Sequence, residues 1–422
     1  MQSRGRRVCP CGRLSRVQRR RDFRSLWFGE SVSLLGDQVS ALALPTAAVL
    51  VLGASATQVG ALNAVGSITY PVLGLVAGAV LDRVRRRPVL LAASAIRIGC
   101  FGVLALCAAL GWLSLPLLYV VAALAGVATL FFDIAYQTYL PSLLTGSELA
   151  RGNVRLELSN SLARLGGPSL GGLLLQYGGV AVGFGVNAAS FVASLLGIAA
   201  IRTPEEAPTP PTRRRLWRDI RDGLAFVWGH PVLRPLTLSA ALRNLGMNAN
   251  RTVLIVFLYR GLDLSAGAVG VLFTVGAVGA LAGVAATGWL LRRLGVGRTL
   301  LLTGLEGAVW LLVPLSLFGG AVVWVVGLML VSSLWLPVWN ATVITLRQQL
   351  TPSAYLGRVQ ATARTINLST IPIGAVLGGV VADAFPSMVV ALALCSAVAA
   401  LSLTQLCRQP LRRMYDFPVR AE

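Results

Sequence analysis

The chain of 422 residues contains no lysine; all 37 of its basic residues are arginine. A Walker A phosphate loop needs its lysine and a Schiff-base enzyme needs an amine, so both classes are excluded. Histidine is almost absent. His230 is the only one and stands beside Pro231, which leaves almost no material for histidine metal centres or nucleophilic triads. The six cysteines (9, 11, 100, 107, 395 and 407) lie in the N-terminal tail or in apolar runs. Cys9-Pro-Cys11 lacks the partners of a metal site, so all six read as packing or tail residues. No catalytic residue, metal or cofactor is expected.

Charge is scarce too. Only 13% of residues are charged and 55% are hydrophobic, with a mean hydropathy of +0.73. A soluble chain of this length needs more charge to cover its surface. Apolar stretches near 20 residues recur, each long enough to cross about 30 Å of hydrocarbon. They predict spans near 25–52, 58–81, 88–110, 115–140, 153–177, 181–201, 234–259, 266–290, 299–318, 321–346, 362–382 and 387–406.

The net charge of +21 would suggest nucleic acid in a soluble protein, but its placement excludes that. Arginines crowd Arg4–Arg24, Arg83–Arg87, Arg151–Arg155, Arg202–Arg221, Arg292–Arg298, Arg347–Arg358 and Arg408–Arg420. The alternate connections lack arginine, apart from Arg260. This is the positive-inside pattern, with an even number of spans and both termini cytoplasmic in a multi-pass cell-membrane protein. The first apolar run is too long for a cleavable signal.

Residues 1–22 form a basic cytoplasmic arm, expected to be disordered. Residues 23–201 form one six-helix bundle and 233–407 a second, with a cytoplasmic tail at 408–422. The linker, 202–232, begins Thr203-Pro-Glu-Glu-Ala-Pro-Thr-Pro-Pro, which is stiff and polar. Its later part puts Leu216, Ile220, Leu224 and Val227 on one face, as in a helix lying on the inner membrane surface. A shift of about 207 residues superposes Arg151 on Arg358, Asn160 on Asn367, Gly167 on Gly374 and Gly171-Gly172 on Gly378-Gly379. Two such parallel repeats suit alternating access. Thr145-Gly-Ser-Glu148 reads as a capping box opening the fifth span, and Pro352 as the first residue of the eleventh.

The turn after the second span reads Gly78-Ala-Val-Leu-Asp82-Arg83-Val-Arg85-Arg86-Arg87. It resembles the signature loop of the major facilitator superfamily, with Arg85 where many members have glycine. The fifth span carries Gly167-Pro168-Ser-Leu-Gly171-Gly172, similar to that superfamily's exporter-associated glycine–proline motif. Phe23-Arg-Ser-Leu-Trp27, Leu35-Gly-Asp37, Phe132-Asp133-Ile-Ala-Tyr136 and Gly223–Pro231 resemble its branch of enterobactin exporters and macrolide efflux proteins. The resemblance covers essentially the whole chain. It implies an all-α membrane protein of twelve transmembrane helices in two pseudo-symmetric six-helix bundles. It also implies proton-driven export of small molecules, with Gly78, Asp82, Arg83 and Arg86 as a cytoplasmic gate. Gly78 would allow close helix contact there; an ordinary positive-inside cluster explains the arginines but not Asp82.

Ionisable groups inside a span cost about 2.5–3.5 kcal/mol, so each needs a reason. Glu30, Ser33, Asp37 and Ser40 make one polar stripe on the first span, and Asp37 lies near mid-membrane. In the repeat, Asp37 corresponds to Asn244 and Asp133 to Asn340. Asp37, Glu30 and Asp133 are the candidates for proton coupling; Asp133 reads equally as a static partner of Arg83 or Arg86. Arg164 and Arg97 are each placed to hold Asp37 in an ion pair. Arg164, Asn244, Asn248, Arg251 and Asn340 are candidates for a substrate cavity. Glu157 reads as a surface partner of Arg151 or Arg155, and Glu306 as structural.

The function expected is proton-coupled antiport of a small, moderately hydrophobic molecule such as a drug, antibiotic or siderophore, by a monomer in the lipid bilayer. An importer or uncoupled facilitator is the rival within the class, and a non-transporting receptor or scaffold the rival outside it. A membrane enzyme lacks the residues it would need.

Overall fold

The computed structural model describes residues 16–81, 83–144, 147–205, 216–409 and 411–416. Among them no strand occurs, and eight helices are long and apolar enough to cross a membrane. Two of these eight are broken by glycine. Gly179 (φ 71°) separates the fifth and sixth spans within Ser147–Ala199. Gly295 (φ 75°) separates the eighth and ninth within Ala266–Thr303. Such positive φ is cheap only without a Cβ. The second span is split at Ile68 into Ala56–Ser67 and Thr69–Leu81. The seventh, Leu233–Val256, carries three arginines, which lowers its hydropathy. The ninth ends as a 3₁₀ stretch, Val309–Phe318, around Pro314, which has no N–H to donate. Counted this way there are twelve spans.

Several details differ from expectation. The first helix starts at Arg16, so the end of the arm expected to be disordered is helical. Buried Asp22 accepts there from the backbone N–H of Arg202 (3.2 Å) and Thr203 (2.9 Å). The helix of the eleventh span begins at Ser353, ahead of the apolar run at 362–382, and Pro352, read as its first residue, stands one position earlier at its N-cap. Thr145 and Gly146 lie outside the described residues, and Glu148 instead pairs with Arg20 at 2.8 Å. The linker helix, Leu216–Gly229, packs on the base of the eleventh span. Phe226 stacks on Tyr355 there, with ring centres 5.2 Å apart, and Val227 is buried with Val359.

The repeat is visible in the packing. Both bundles carry a π-helical turn where their first helix ends, Ala47–Val51 and Phe257–Gly261. Asn187 of the sixth span donates to Ser40 of the first (2.5 Å), and Asn250 of the seventh to Ser396 of the twelfth (2.9 Å). A Cβ on Gly171 would stand 3.1 Å from Val39 Cα, and one on Gly378 only 2.2 Å from the Ala249 carbonyl. Small residues thus let the helices touch backbone to backbone.

The halves meet at the arginine-poor end. A Cβ on Gly172 would lie 2.5 Å from the Ala266 carbonyl, and one on Gly379 2.5 Å from that of Ala56. Asp383 accepts from the N–H groups of Ala56 (3.0 Å) and Thr57 (2.8 Å). The Arg260 guanidinium donates to the Ala54 carbonyl at 2.7 Å, which gives this arginine of the arginine-poor end a structural task. Thr46 and Tyr259 share a hydrogen bond of 2.6 Å. Ser169–Thr274 (2.7 Å) and Ser265–Gln176 (3.3 Å) also join the halves in this region. At the arginine-rich end the pairs formed among the described residues stay within one half: Arg20–Glu148, Arg86–Glu205 and Arg358–Asp222. The contacts between the halves named above gather at the arginine-poor end.

Candidate functional site

The wall of the N-terminal half gathers three carboxylates about one cation. Glu30 and Asp37 lie on the first span and Asp133 on the fourth, all half-buried. Arg97 of the third span is the cation facing all three. It is 2% exposed, and its guanidinium carbon sits 3.9 Å from the Phe132 ring centre and 4.3 Å from that of Phe191. Aromatic faces hold a cation by their quadrupole without consuming its N–H donors. Arg97 Nε and Nη2 and Glu30 Oε2 are buried without a hydrogen-bond partner among the described residues. One permanent cation cannot neutralise three ionised acids, so protons are the natural counterweight.

Asp133 accepts a hydrogen bond from Tyr70 of the second span. Its facing cations are Arg97 and, from the other half, Arg364. The expected alternative partners lie elsewhere, because Arg86 pairs with Glu205 at 3.7 Å and Arg83 is exposed. Of the polar stripe, Glu30 and Asp37 keep their access, while Ser33 and Ser40 are buried against neighbouring helices. The cation of Asp37 is Arg97. Arg164 turns away from that role; it reaches Asn160 of its own helix at 3.3 Å and faces Arg251 of the seventh span.

The opposite wall carries asparagines and the exposed arginines Arg251 and Arg364. Asn244 and Asn248 are half-buried one turn apart, and Asn340 of the tenth span is exposed. Asn248 donates to the Asn244 carbonyl at 2.7 Å. Glu306 is buried and paired with Arg243, which packs 4.9 Å from the Trp339 ring centre. That closed pair is structural, as expected for Glu306.

The motif residues divide. Gly167 lies against Gln38 and Gly171 against Val39 of the first span, while Gly172 and the Pro168 carbonyl lie against the eighth. Gly78 meets nothing within 4 Å, so the close contact expected there is absent from this conformation. Asp82 lies outside the described residues. Glu205, unforeseen, accepts from the N–H of Arg86 (2.5 Å) and Arg87 (3.0 Å) and so caps the third span. Glu157 is exposed and enters no ion pair with Arg151 or Arg155 among the described residues.

Two six-helix repeats closed at one end around a polar centre are how this class of transporters is built. Residues 26–375 match the Major Facilitator Superfamily as a whole. The chain belongs to that superfamily. It is a multi-pass membrane transporter, not an enzyme. It is 29% identical to an enterobactin exporter, EntS, of Escherichia coli over 85% of this chain and 84% of that one. Among solved structures, a bacterial homologue of the iron transporter ferroportin in an inward-facing state superposes with a TM-score of 0.71, at 21% identity, over 92% of this chain and 99% of that one. The outward-facing state of such a homologue gives 0.57 at 20% identity, over 91% and 99%.

Proposed function

We propose that this superfamily transporter exports a small organic molecule against its gradient in exchange for protons, with Asp37, Glu30 and Asp133 carrying the protons. The observation behind this is that three carboxylates share Arg97, while the one further cation facing them among the described residues, Arg364, faces Asp133 alone, so acids outnumber cations. Such a group gains and loses protons as its access alternates. Each proton moving inward releases about 2.3 kcal/mol per 100 mV of membrane potential, plus the pH-gradient contribution. The similarity to an enterobactin exporter supports the outward direction and a cargo of drug, antibiotic or siderophore size. The arginine-rich end is assigned to the cytoplasm by the positive-inside rule. Asp82, Arg83 and Arg86 would then form contacts between the halves when that end closes.

Asp37→Asn tests the coupling. It reproduces the Asn244 of the second repeat, so folding should survive. In proteoliposomes with an imposed pH gradient, the variant is expected to lose uphill transport and retain downhill exchange. Uphill transport equal to the parent's would remove Asp37 from the proton path. Proton-independent transport by the parent itself would replace exchange by facilitation.

A further inference from the structure

Three arginines at the centre of the molecule are short of carboxylates: among the described residues none faces Arg164 or Arg251, and Arg364 faces only Asp133, which it shares with Arg97. Arg164 of the fifth span, Arg251 of the seventh and Arg364 of the eleventh all have solvent-exposed side chains. Arg164 and Arg364 lie at least eleven residues from either end of their helices, and Arg251 lies five residues before Val256 and ten before Gly261, where the π-helical turn that continues its helix ends. They come from both halves. Arg164 and Arg251 are close enough to repel across the divide, and Arg364 reaches the Asp133–Tyr70 pair of the other half. None forms an ion pair among the described residues. Arg243, by contrast, is closed off by Glu306. Cations at this depth are costly, and like charges facing one another cost more. For Arg164 and Arg251 no countercharge is supplied among the described residues.

We infer that Arg164, Arg251 and Arg364 form an anion site bridging the two halves, and that the cargo is a water-soluble organic molecule bearing two or more acidic groups. This rests on the transport function proposed above and replaces the moderately hydrophobic cargo expected from sequence. Guanidinium groups suit planar carboxylate, catecholate and sulfonate oxygens through paired N–H donors. The site spans the interface, so a bound anion holds the two halves to one another. It also leaves the carboxylate wall of Glu30, Asp37 and Asp133 beside added negative charge. Exchange then depends on which species reorients, the loaded carrier without its proton or the empty one with it.

The test uses the purified full-length protein in detergent at constant ionic strength, with fluorescence anisotropy of two dyes. Lucifer yellow carries two permanent sulfonates, and ethidium of comparable size is a cation. Lucifer yellow is expected to bind at least tenfold more tightly than ethidium. Arg251→Gln and Arg364→Gln should each weaken it about tenfold, with Arg→Lys recovering part of the loss, while the unfolding midpoint stays unchanged. Equal affinity for both dyes, binding of neither, or a preference surviving the double glutamine variant would overturn the site. Displacement of the dye by phosphatidylglycerol at equal affinity would assign the arginines to lipid headgroups and overturn the cargo. No step requires transport, so a failed proton exchange leaves the binding result standing. Intact proton-driven export of a cation would sink the anion site alone.

Discussion

Asp383→Asn should open the arginine-poor end. The second span begins at Ala56, and its first N–H groups have no partner within the helix. Ser55 satisfies the N–H of Gln58 from within the same half. Asp383 satisfies those of Ala56 and Thr57 from the other half, at 3.0 and 2.8 Å. Asparagine keeps one acceptor oxygen, loses the second, and removes a negative charge from a helix N-terminus. A lost N-terminal cap costs about 0.5–2 kcal/mol, and the exposed charge–dipole contribution is about 0.3–1 kcal/mol. A combined loss near 1–2 kcal/mol falls wholly on the closed form, because the bonds exist only when the halves meet there. Such a loss multiplies the population open at this end about five- to thirtyfold. Spin labels on cysteines replacing Trp112 and Phe318, both well exposed at this end and one in each half, would report the change as a longer-distance population. An unchanged distance distribution, in a background free of native cysteines, would refute the latch.

Gly172→Val should impair closure of the same end, since its side chain would collide with the Ala266 carbonyl and Gly270 Cα; normal transport with an unaltered distance distribution would contradict this. Gly78→Ala meets open space here and should leave the unfolding midpoint unchanged, while slowing transport if Gly78 packs closely once the other end closes. Arg243→Gln strands the buried Glu306 and should destabilise the protein by about 3–5 kcal/mol, seen as a lowered unfolding midpoint that Glu306→Gln partly restores. Cysteines at Thr209 or Glu422 should resist impermeant reagents applied to intact cells; labelling of either from outside would reverse the orientation.

Most of the fold was legible because a bilayer leaves few choices. Apolar run length, arginine alternation and the 207-residue offset all express one constraint, that backbone polar groups in lipid be satisfied within helices. The acids of the site were legible for the same reason, since Glu30, Asp37 and Asp133 stand out against apolar neighbours. Their partners were harder to find. Arg364 stands three turns inside the helix that starts at Ser353, and nothing in the sequence pattern ties it to Asp133 of the other half. Arg243 and Glu306 are 63 residues apart, and no local pattern links them. Asp383 and Glu205 reside where spans end, and a charge there is ordinary until the structure shows which helix N-terminus it caps. Cross-chain partnership has no period, so sequence patterning does not reveal it.

The scaffold and the chemistry differ in symmetry, and that difference bears on mechanism. Glycine contacts, π-helical turns and asparagine–serine pairs repeat in both halves, so the halves are equivalent as rigid bodies. The charged residues at the centre do not repeat. Asp37 and Asp133 have Asn244 and Asn340 as their counterparts, leaving the titratable wall on the N-terminal half. Arg251 and Arg364 stand on the C-terminal half without carboxylates of their own. A symmetric machine with symmetric charges would gain nothing electrostatic from bringing its halves together, because like would face like. Here a carboxylate wall faces exposed arginines, and Arg364 already reaches across to Asp133. Protonation of the acids removes the attraction between the walls, and an anion between the arginines restores it in another form. The near-equal rigid halves make rocking possible, and the broken charge symmetry makes it responsive to what occupies the centre.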